Sequence, residues 1–300
     1  QVLGHPPLNI AAFEQRLMRF PQNPRAKGAI NMALYDLAGK LLGTPVYNLL
    51  GGKCRDGLLL SWSIPIMAFD ECAEEARQRV AQGWRVLKVK VGRPDVADDV
   101  RAVKTVREAV GPEVRLRVDA NQAYDVKTAI RFINAIEGHD IEFMERPVSR
   151  HDLEGLARVS ERVTVPLMAD EGAENPRDAL AIAARRAAEM ISIYLTNAGG
   201  ISGAKTMAAI AETAGIQCYI GGALEGPVGV AACLHFGVST PAVNLGCEMV
   251  GQYLLKADLA TKPLAFVDGE LLVPDEPGLG VELDQALLDE HLVEAFSVEA

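Results

Sequence analysis

The stretch RVLKVKVGRPDVADDVRAVKTVREAVGPEVRLRVDAN, Arg85 to Asn121, holds two short apolar runs with one amphipathic segment between them. In the middle segment Val96, Val100, Val103, Val106 and Val110 recur at helical spacing, whereas RVLKVKVG and VRLRVDAN have the length and β-branched content of strands. Strand, helix and strand in that order form a crossover unit, and such units lay their strands parallel. The same rhythm extends in both directions. GLLLSWSIPI, IEFMERPV, VPLMADEG, ISIYLTNAGG, GIQCYIGG and AVNLGCEMV bring the β-like runs to eight, most of them separated by helical segments. Eight parallel strands predict an α/β fold closed into a TIM-like (β/α)7β barrel. An open doubly wound sheet is the alternative, but no GxGxxG follows any strand, so the usual dinucleotide fingerprint is absent.

The barrel is assigned to residues 53–265. Before it, RAKGAINMALYDLAGKLLGTPVYNLLGG predicts a helix with Ile30, Leu34, Leu37 and Leu41 on its apolar face, stopped by Gly43 and Pro45. After it, PDEPGLGVELD is a turn-rich tail that ends in a short helix. The 300 residues are 49% hydrophobic and suffice for a large core, while 40 acidic against 30 basic residues leave a formal charge of -10. That excess repels phosphate backbones and anionic membranes, so neither nucleic acid nor membrane is expected as a partner. No apolar run approaches the roughly 18 residues of a membrane span, and the start shows no charged segment leading into an apolar one. The five cysteines, Cys54, Cys72, Cys218, Cys233 and Cys247, are scattered without a CxxC pair. They predict reduced thiols in a cytoplasmic protein rather than a disulfide framework or a zinc site.

Strands buried on both faces of a parallel barrel are almost wholly apolar, so polar residues near the ends of these runs stand out. They are Lys88 and Lys90, then Asp119, Glu145, Asp170 and Glu248. Barrel enzymes place their chemistry at the C-terminal strand ends, where side chains of successive strands converge. Asp119, Glu145 and Asp170 end three consecutive runs and fall side by side on one rim. Carboxylates that close stay ionised only around a cation, and an all-oxygen set suits Mg²⁺, with Mn²⁺ as a substitute. The competing reading is that each simply caps the helix that follows it. Lys88 and Lys90, two apart on a strand, share a face, here the barrel interior. Beside a metal, Lys90 is expected to have a lowered pKa and to act as general base, with Lys88 as the cation that helps lower it. On an edge strand both would instead face solvent. His235 reads as a core or capping histidine, His139 and His151 as solvated, and Cys218 and Cys247 as small core residues.

KVK at Lys88 to Lys90, VDAN ending at Asn121, MERP at Glu145, ADE at Asp170 and Glu171, GG at Gly199 and Gly200, ALEG around Glu225 and GCE at Glu248 form an ordered set. With LLGG before the barrel and PGLGVELD after it, the chain resembles the enolase superfamily over essentially its whole length. The nearest likeness is to the muconate lactonizing enzyme (muconate cycloisomerase) subgroup of the mandelate racemase–muconate lactonizing enzyme family. The resemblance implies that residues 1–52 are the latter part of an N-terminal α+β capping domain, most of it absent from a chain that opens QVLGHPPLNI without Met. It implies that residues 266–300 pack back on that domain. It makes Asp119, Glu145 and Asp170 the Mg²⁺ ligands, Lys90 the acid/base on one substrate face, and Lys88, Tyr194 and Glu248 further candidate catalytic residues. Asn121 and Glu225 become candidates for substrate contact, with Glu225 alternatively shaping the turn before the next helix. The shared chemistry is removal or delivery of a proton α to a carboxylate through an enediolate, and a homo-oligomer is implied.

One departure matters. Relatives usually carry a second lysine on the sixth barrel strand, where this chain has Tyr194. That favours one-face chemistry, a muconate-like cycloisomerase or a syn-dehydratase acting on a small carboxylate. A racemase or epimerase with Tyr194 as second acid/base is the alternative, although a phenol of reference pKa about 10 must be perturbed to serve. A non-catalytic metal-binding relative is the third reading.

Overall fold

The computed structural model describes residues 6–294. The run GLLLSWSIPI, expected as one strand, divides at Leu60 between two sheets. β1 (Gly57–Leu59) joins a three-stranded antiparallel sheet in which β11 (Glu270–Leu272) lies between β1 and β10 (Phe266–Val267). The division has a hydrogen-bonding cause. Leu60 N–H donates to the Gly269 carbonyl at 2.9 Å, which ties this end of the run to the β10–β11 hairpin. β2 (Ser61–Ile64) starts the barrel, followed in chain order by β3 (Val86–Lys90), β4 (Arg115–Asp119), β5 (Ile141–Glu145), β6 (Leu167–Ala169), β7 (Met190–Ile193), β8 (Gln217–Ile220) and β9 (Val243–Cys247). Every neighbouring pair is parallel, and a parallel bridge between Leu60 and Cys247 joins the last strand to the first. The sheet therefore closes as the (β/α)7β reading requires, and the open sheet is excluded. β3 is paired on both sides, so it is no edge strand.

Four of the crossover helices start on side-chain caps. Asp95, Asp125, Asp152 and Asn175 each accept backbone N–H groups at the starts of helices Val96–Val110, Val126–Ile136, Leu153–Ser160 and Pro176–Arg185. Asp125, Asp152 and Asn175 follow Asp119, Glu145 and Asp170 in turn and cap the next helices in their place, so these strand-end carboxylates are free of capping duty. In helix Val96–Val110, Val103 and Val106 are fully buried, and Val96, Val100 and Val110 pack against the core from its margin. No helix among the described residues is long and apolar enough to cross a membrane. All five cysteines are free thiols, four of them buried and Cys54 exposed.

Helix Pro24–Leu42 does not bury the face its leucines suggest. Leu37 and Leu41 are 44% and 59% exposed, while Gly28, Asn31, Met32, Leu34, Ala38 and Gly39 are buried. Small residues let this helix approach the barrel closely, and a periodicity of large side chains cannot register that. Asn31 Oδ1 accepts from Ile201 N–H at 2.8 Å, and its Nδ2 donates to Ser202 Oγ at 3.1 Å. A Cβ on Gly200, whose φ is +105°, would collide with that asparagine. The helix thus grips the turn that follows β7. His235, fully buried, ties the flanking segments together: Tyr47 N–H donates to Nδ1 at 3.2 Å, and Nε2 lies 3.2 Å from the Leu279 carbonyl. Since Nδ1 accepts, Nε2 carries the proton and donates.

Candidate active site

Side chains two apart on a strand share a face, and this repeat builds the site in two layers. Phe143, Met168, Met190, Tyr219 and Leu245, from β5 to β9, form a buried cluster separate from the main core. Arg117 on β4 completes that floor, its guanidinium 4.9 Å from the Phe143 ring centre and 5.1 Å from that of Tyr219. Two residues further along the same faces lie Asp119, Glu145 and Asp170, which line a cavity of about 530 Å³ at the C-terminal mouth of the barrel. Lys88, Lys90, Asn121, Tyr194 and Glu248 line it too. Of the side chains singled out from sequence, only Glu225 lies outside the lining. Its Oε2 accepts from Ala223 N–H at 2.8 Å, within its own loop.

Lys88 is 1% exposed and shared by three carboxylates, Glu248 at 2.5 Å, Glu145 at 2.9 Å and Asp119 at 3.8 Å. Burial alone would lower its pKa, but the Glu145 and Glu248 charges win and raise it well above an ordinary lysine. Burial and the Asp119 charge push Glu145 upward against the pull of Lys88. Of that pair, the ammonium is the firmer assignment, because three acids surround one cation. Lys90, at the mouth, donates to Asp119 Oδ2 and to Asn121 Oδ1, the latter at 2.9 Å. Here the expected lowering is reversed. Burial and Lys88 do lower the Lys90 pKa, but Asp119, Glu248 and Glu145 outweigh them and raise it.

Asp170 Oδ1 is buried without a hydrogen-bond partner, and burial pushes the carboxyl up to about 6. Asp119, Glu145, Asp170 and Glu248 face Lys88 and Lys90, four acids against two ammoniums. One divalent cation balances the excess of two, and the donors are all oxygen, as Mg²⁺ prefers. Charge and chemistry therefore fit the metal. The side chains do not yet enclose it: among the described residues no three His, Cys, Asp or Glu groups are gathered to hold an ion, because Asp119 and Glu145 are turned onto the lysines.

Tyr194 directly follows β7, four places round the ring of eight from β3, and so stands across the barrel from Lys90. It is partly buried, and its ring lies over the backbone of Gly221 at the end of β8, where a Cβ would collide with it. Burial, then the Asp170 and Glu145 charges, raise its pKa, so it remains a phenol.

Several lining residues escaped sequence reading. Ser63 donates to Glu248 Oε1, and its place two residues after Ser61 on β2 marks it as inward-facing. Arg25, Arg150 and Asn197 reach the cavity from outside the strands and carry no sequence signal of it. Asp99 is fully buried behind the site. It accepts from Gly92 and Arg93 N–H, the Arg93 guanidinium and Tyr124 Oη, bracing the loops that leave β3 and β4.

A closed parallel barrel with converging carboxylates at its strand ends defines an α/β-barrel enzyme that works at its C-terminal face. Residues 71–287 match the family model described as enolase C-terminal domain-like, and residues 1–51 match the mandelate racemase / muconate lactonizing enzyme N-terminal domain. The chain belongs to the mandelate racemase/muconate lactonizing enzyme family of the enolase superfamily, and is an isomerase-class enzyme of that superfamily. It is 35% identical to muconate cycloisomerase 1 of Rhodococcus opacus over 94% of this chain and 76% of that one. It is 37% identical to the L-Ala-D/L-Glu epimerase of Bacillus subtilis over 86% of this chain and 71% of that one. Among solved structures, muconate cycloisomerase from Pseudomonas fluorescens superposes with a TM-score of 0.92 at 34% identity, covering 96% of this chain and 80% of that one. N-succinyl Arg/Lys racemase from Bacillus cereus does so with a TM-score of 0.92 at 31% identity, covering 96% and 78%. Enzymes of the superfamily use Mg²⁺.

Proposed function

We propose that this enzyme moves a proton at the carbon α to a carboxylate, through an enediolate, using Lys90 on one face of a small carboxylate substrate. The reaction is cycloisomerisation of a muconate-like acid, the one-face chemistry that fits an isomerase. Asp119, Glu145 and Asp170 would hold Mg²⁺, which supplies positive charge to the substrate carboxylate as the enediolate develops. Lys88 fixes Glu145 and Glu248 in place, and Ser63 holds the other oxygen of Glu248. Asn121 orients the Lys90 ammonium. Once the charges of Asp119 and Glu145 are offset, burial and Lys88 act on Lys90 against Glu248 alone. Burial and Lys88, the two largest influences, lower its pKa and suit it to accept and return a proton. The observation that carries this reading is the asymmetry of the cavity, an amine on the β3 side and a pKa-raised phenol on the β7 side.

The test is Lys90→Met. Substrate turnover and α-proton exchange should vanish, with Mg²⁺ affinity retained; turnover at the wild-type rate would overturn the assignment. The epimerase and racemase among the relatives favour a second reading, in which Tyr194 is the acid/base on the opposite face. A phenol with a raised pKa is a weak proton donor and is hardly ever present as the phenolate that could accept one, whereas epimerisation in both directions requires both roles. If Tyr194→Phe lowers turnover by less than twofold when chemistry limits the rate, that second reading fails.

A further inference from the structure

A second cavity, of about 450 Å³, opens off the first. Ser63, Lys90, Val250 and Leu254 line both, so the two are joined near the ends of β2 and β3 and at the loop after β9. Trp62, Pro65, Met67, Glu75 and Arg79 line the second but not the first. A space of that volume falls within the range of small-ligand pockets.

Its polar groups are engaged with protein partners. Glu75 Oε1 accepts from Trp62 Nε1 at 2.9 Å and from Arg79 Nε at 2.8 Å. The Arg79 guanidinium lies 3.7 Å from the centre of the Trp62 ring, and its Nη1 donates to Gln82 Oε1 at 3.0 Å. Ser63 is committed to Glu248, and Lys90 to Asp119 and Asn121. The rest of the lining is indole, proline ring, thioether and aliphatic side chain. A polar group entering there would give up its water for no new partner, whereas a hydrocarbon would gain by leaving water. The wall is firmly built: Trp62 packs edge-on against Trp84 with ring centres 5.0 Å apart, and Trp84 in turn meets Tyr253 and Phe266. Leu254, on the shared rim, is 52% exposed, an apolar side chain uncovered beside Lys90.

We propose that this second cavity is a subsite for an apolar hydrocarbon substituent that branches from the reacting end of the substrate past Lys90, so that the natural substrate is a muconate-like acid carrying an alkyl or aryl group. The position of that group beside the reacting carbon rests on the chemistry proposed for Lys90. Its apolar character rests on the lining alone.

The experiment follows the fluorescence of the chain's two tryptophans, Trp62 in the wall and Trp84 behind it. The full chain with Mg²⁺ is titrated with straight-chain carboxylates from propanoate to hexanoate, and with the neutral butanamide and hexanamide. Affinity should rise about fourfold for each added methylene in both series. Met67→Asn, which sets a polar amide in the lining, should cut that step below about twofold and leave propanoate affinity unchanged. Leu254→Asn should reduce the step from the shared rim. Wild type that shows no dependence on chain length, or binds no probe, overturns the proposal, as does a step that survives unchanged in both variants. Binding requires no proton transfer. Amides that show the step while carboxylates bind no more tightly would count against the carboxylate chemistry and leave the subsite standing; carboxylates that bind without the step would do the reverse.

Discussion

Acid should weaken this fold through one buried histidine. His235 is fully buried, stacks on Tyr47 with ring centres 5.5 Å apart, and joins the Tyr47 N–H to the Leu279 carbonyl. Burial lowers its pKa from 6.5 to about 4. The unfolded chain therefore binds a proton more tightly than the folded one, and stability rises with pH across that window. The contribution is complete above about pH 6.5, shrinks as pH falls, and is lost once pH passes about 4. At about 1.4 kcal/mol for each tenfold change in proton affinity, the loss amounts to about 3 kcal/mol. Its source is burial, which leaves the charged imidazolium without water. The assay is urea unfolding from pH 7.5 to 4.5 for wild type and His235→Gln. Carboxylates titrate in both proteins and cancel in the difference. Wild type should lose about 2 kcal/mol more than the variant over that range. Parallel stability–pH curves would refute the reasoning.

Two further perturbations follow from the same geometry. Asp99→Ala leaves the Arg93 guanidinium and the Gly92, Arg93 and Tyr124 donors unmatched, and should cost about 3–5 kcal/mol in urea unfolding; a cost below 1 kcal/mol would contradict its bracing role. Gly221→Ala should cost about 1–3 kcal/mol by driving a methyl against the Tyr194 ring and Ser192 Oγ, and part of that should disappear in a Tyr194→Ala background, leaving the Ser192 share; an undiminished cost would contradict the Tyr194 contact.

The strand-end charges were legible because a parallel barrel strand is otherwise apolar, so Asp119, Glu145, Asp170 and Glu248 had few structural reasons to be there. The structure removes the chief competing reason by assigning capping to Asp95, Asp125, Asp152 and Asn175. Other features depended on partners distant in the chain. Nothing within GLLLSWSIPI announces a break at Leu60, because the break is made by the β10–β11 hairpin. The face of helix Pro24–Leu42 was misread because its contact is built from Gly28, Ala38 and Gly39, which a periodicity of large side chains passes over. The Lys90 pKa went the other way because its direction is a sum over three acids and one lysine, and that sum needs distances. Arg25 is one arginine among many until the fold sets it on the cavity wall.

Single-face proton transfer at Lys90 is read out by α-proton exchange. Each enantiomer of a carboxylate substrate or product that carries an α-hydrogen is incubated separately with enzyme and Mg²⁺ in D₂O and followed by NMR. Deuterium should wash into one enantiomer alone, with retention of configuration, and into neither in Lys90→Met. Rapid exchange of both enantiomers, or exchange that survives in Lys90→Met, would contradict it.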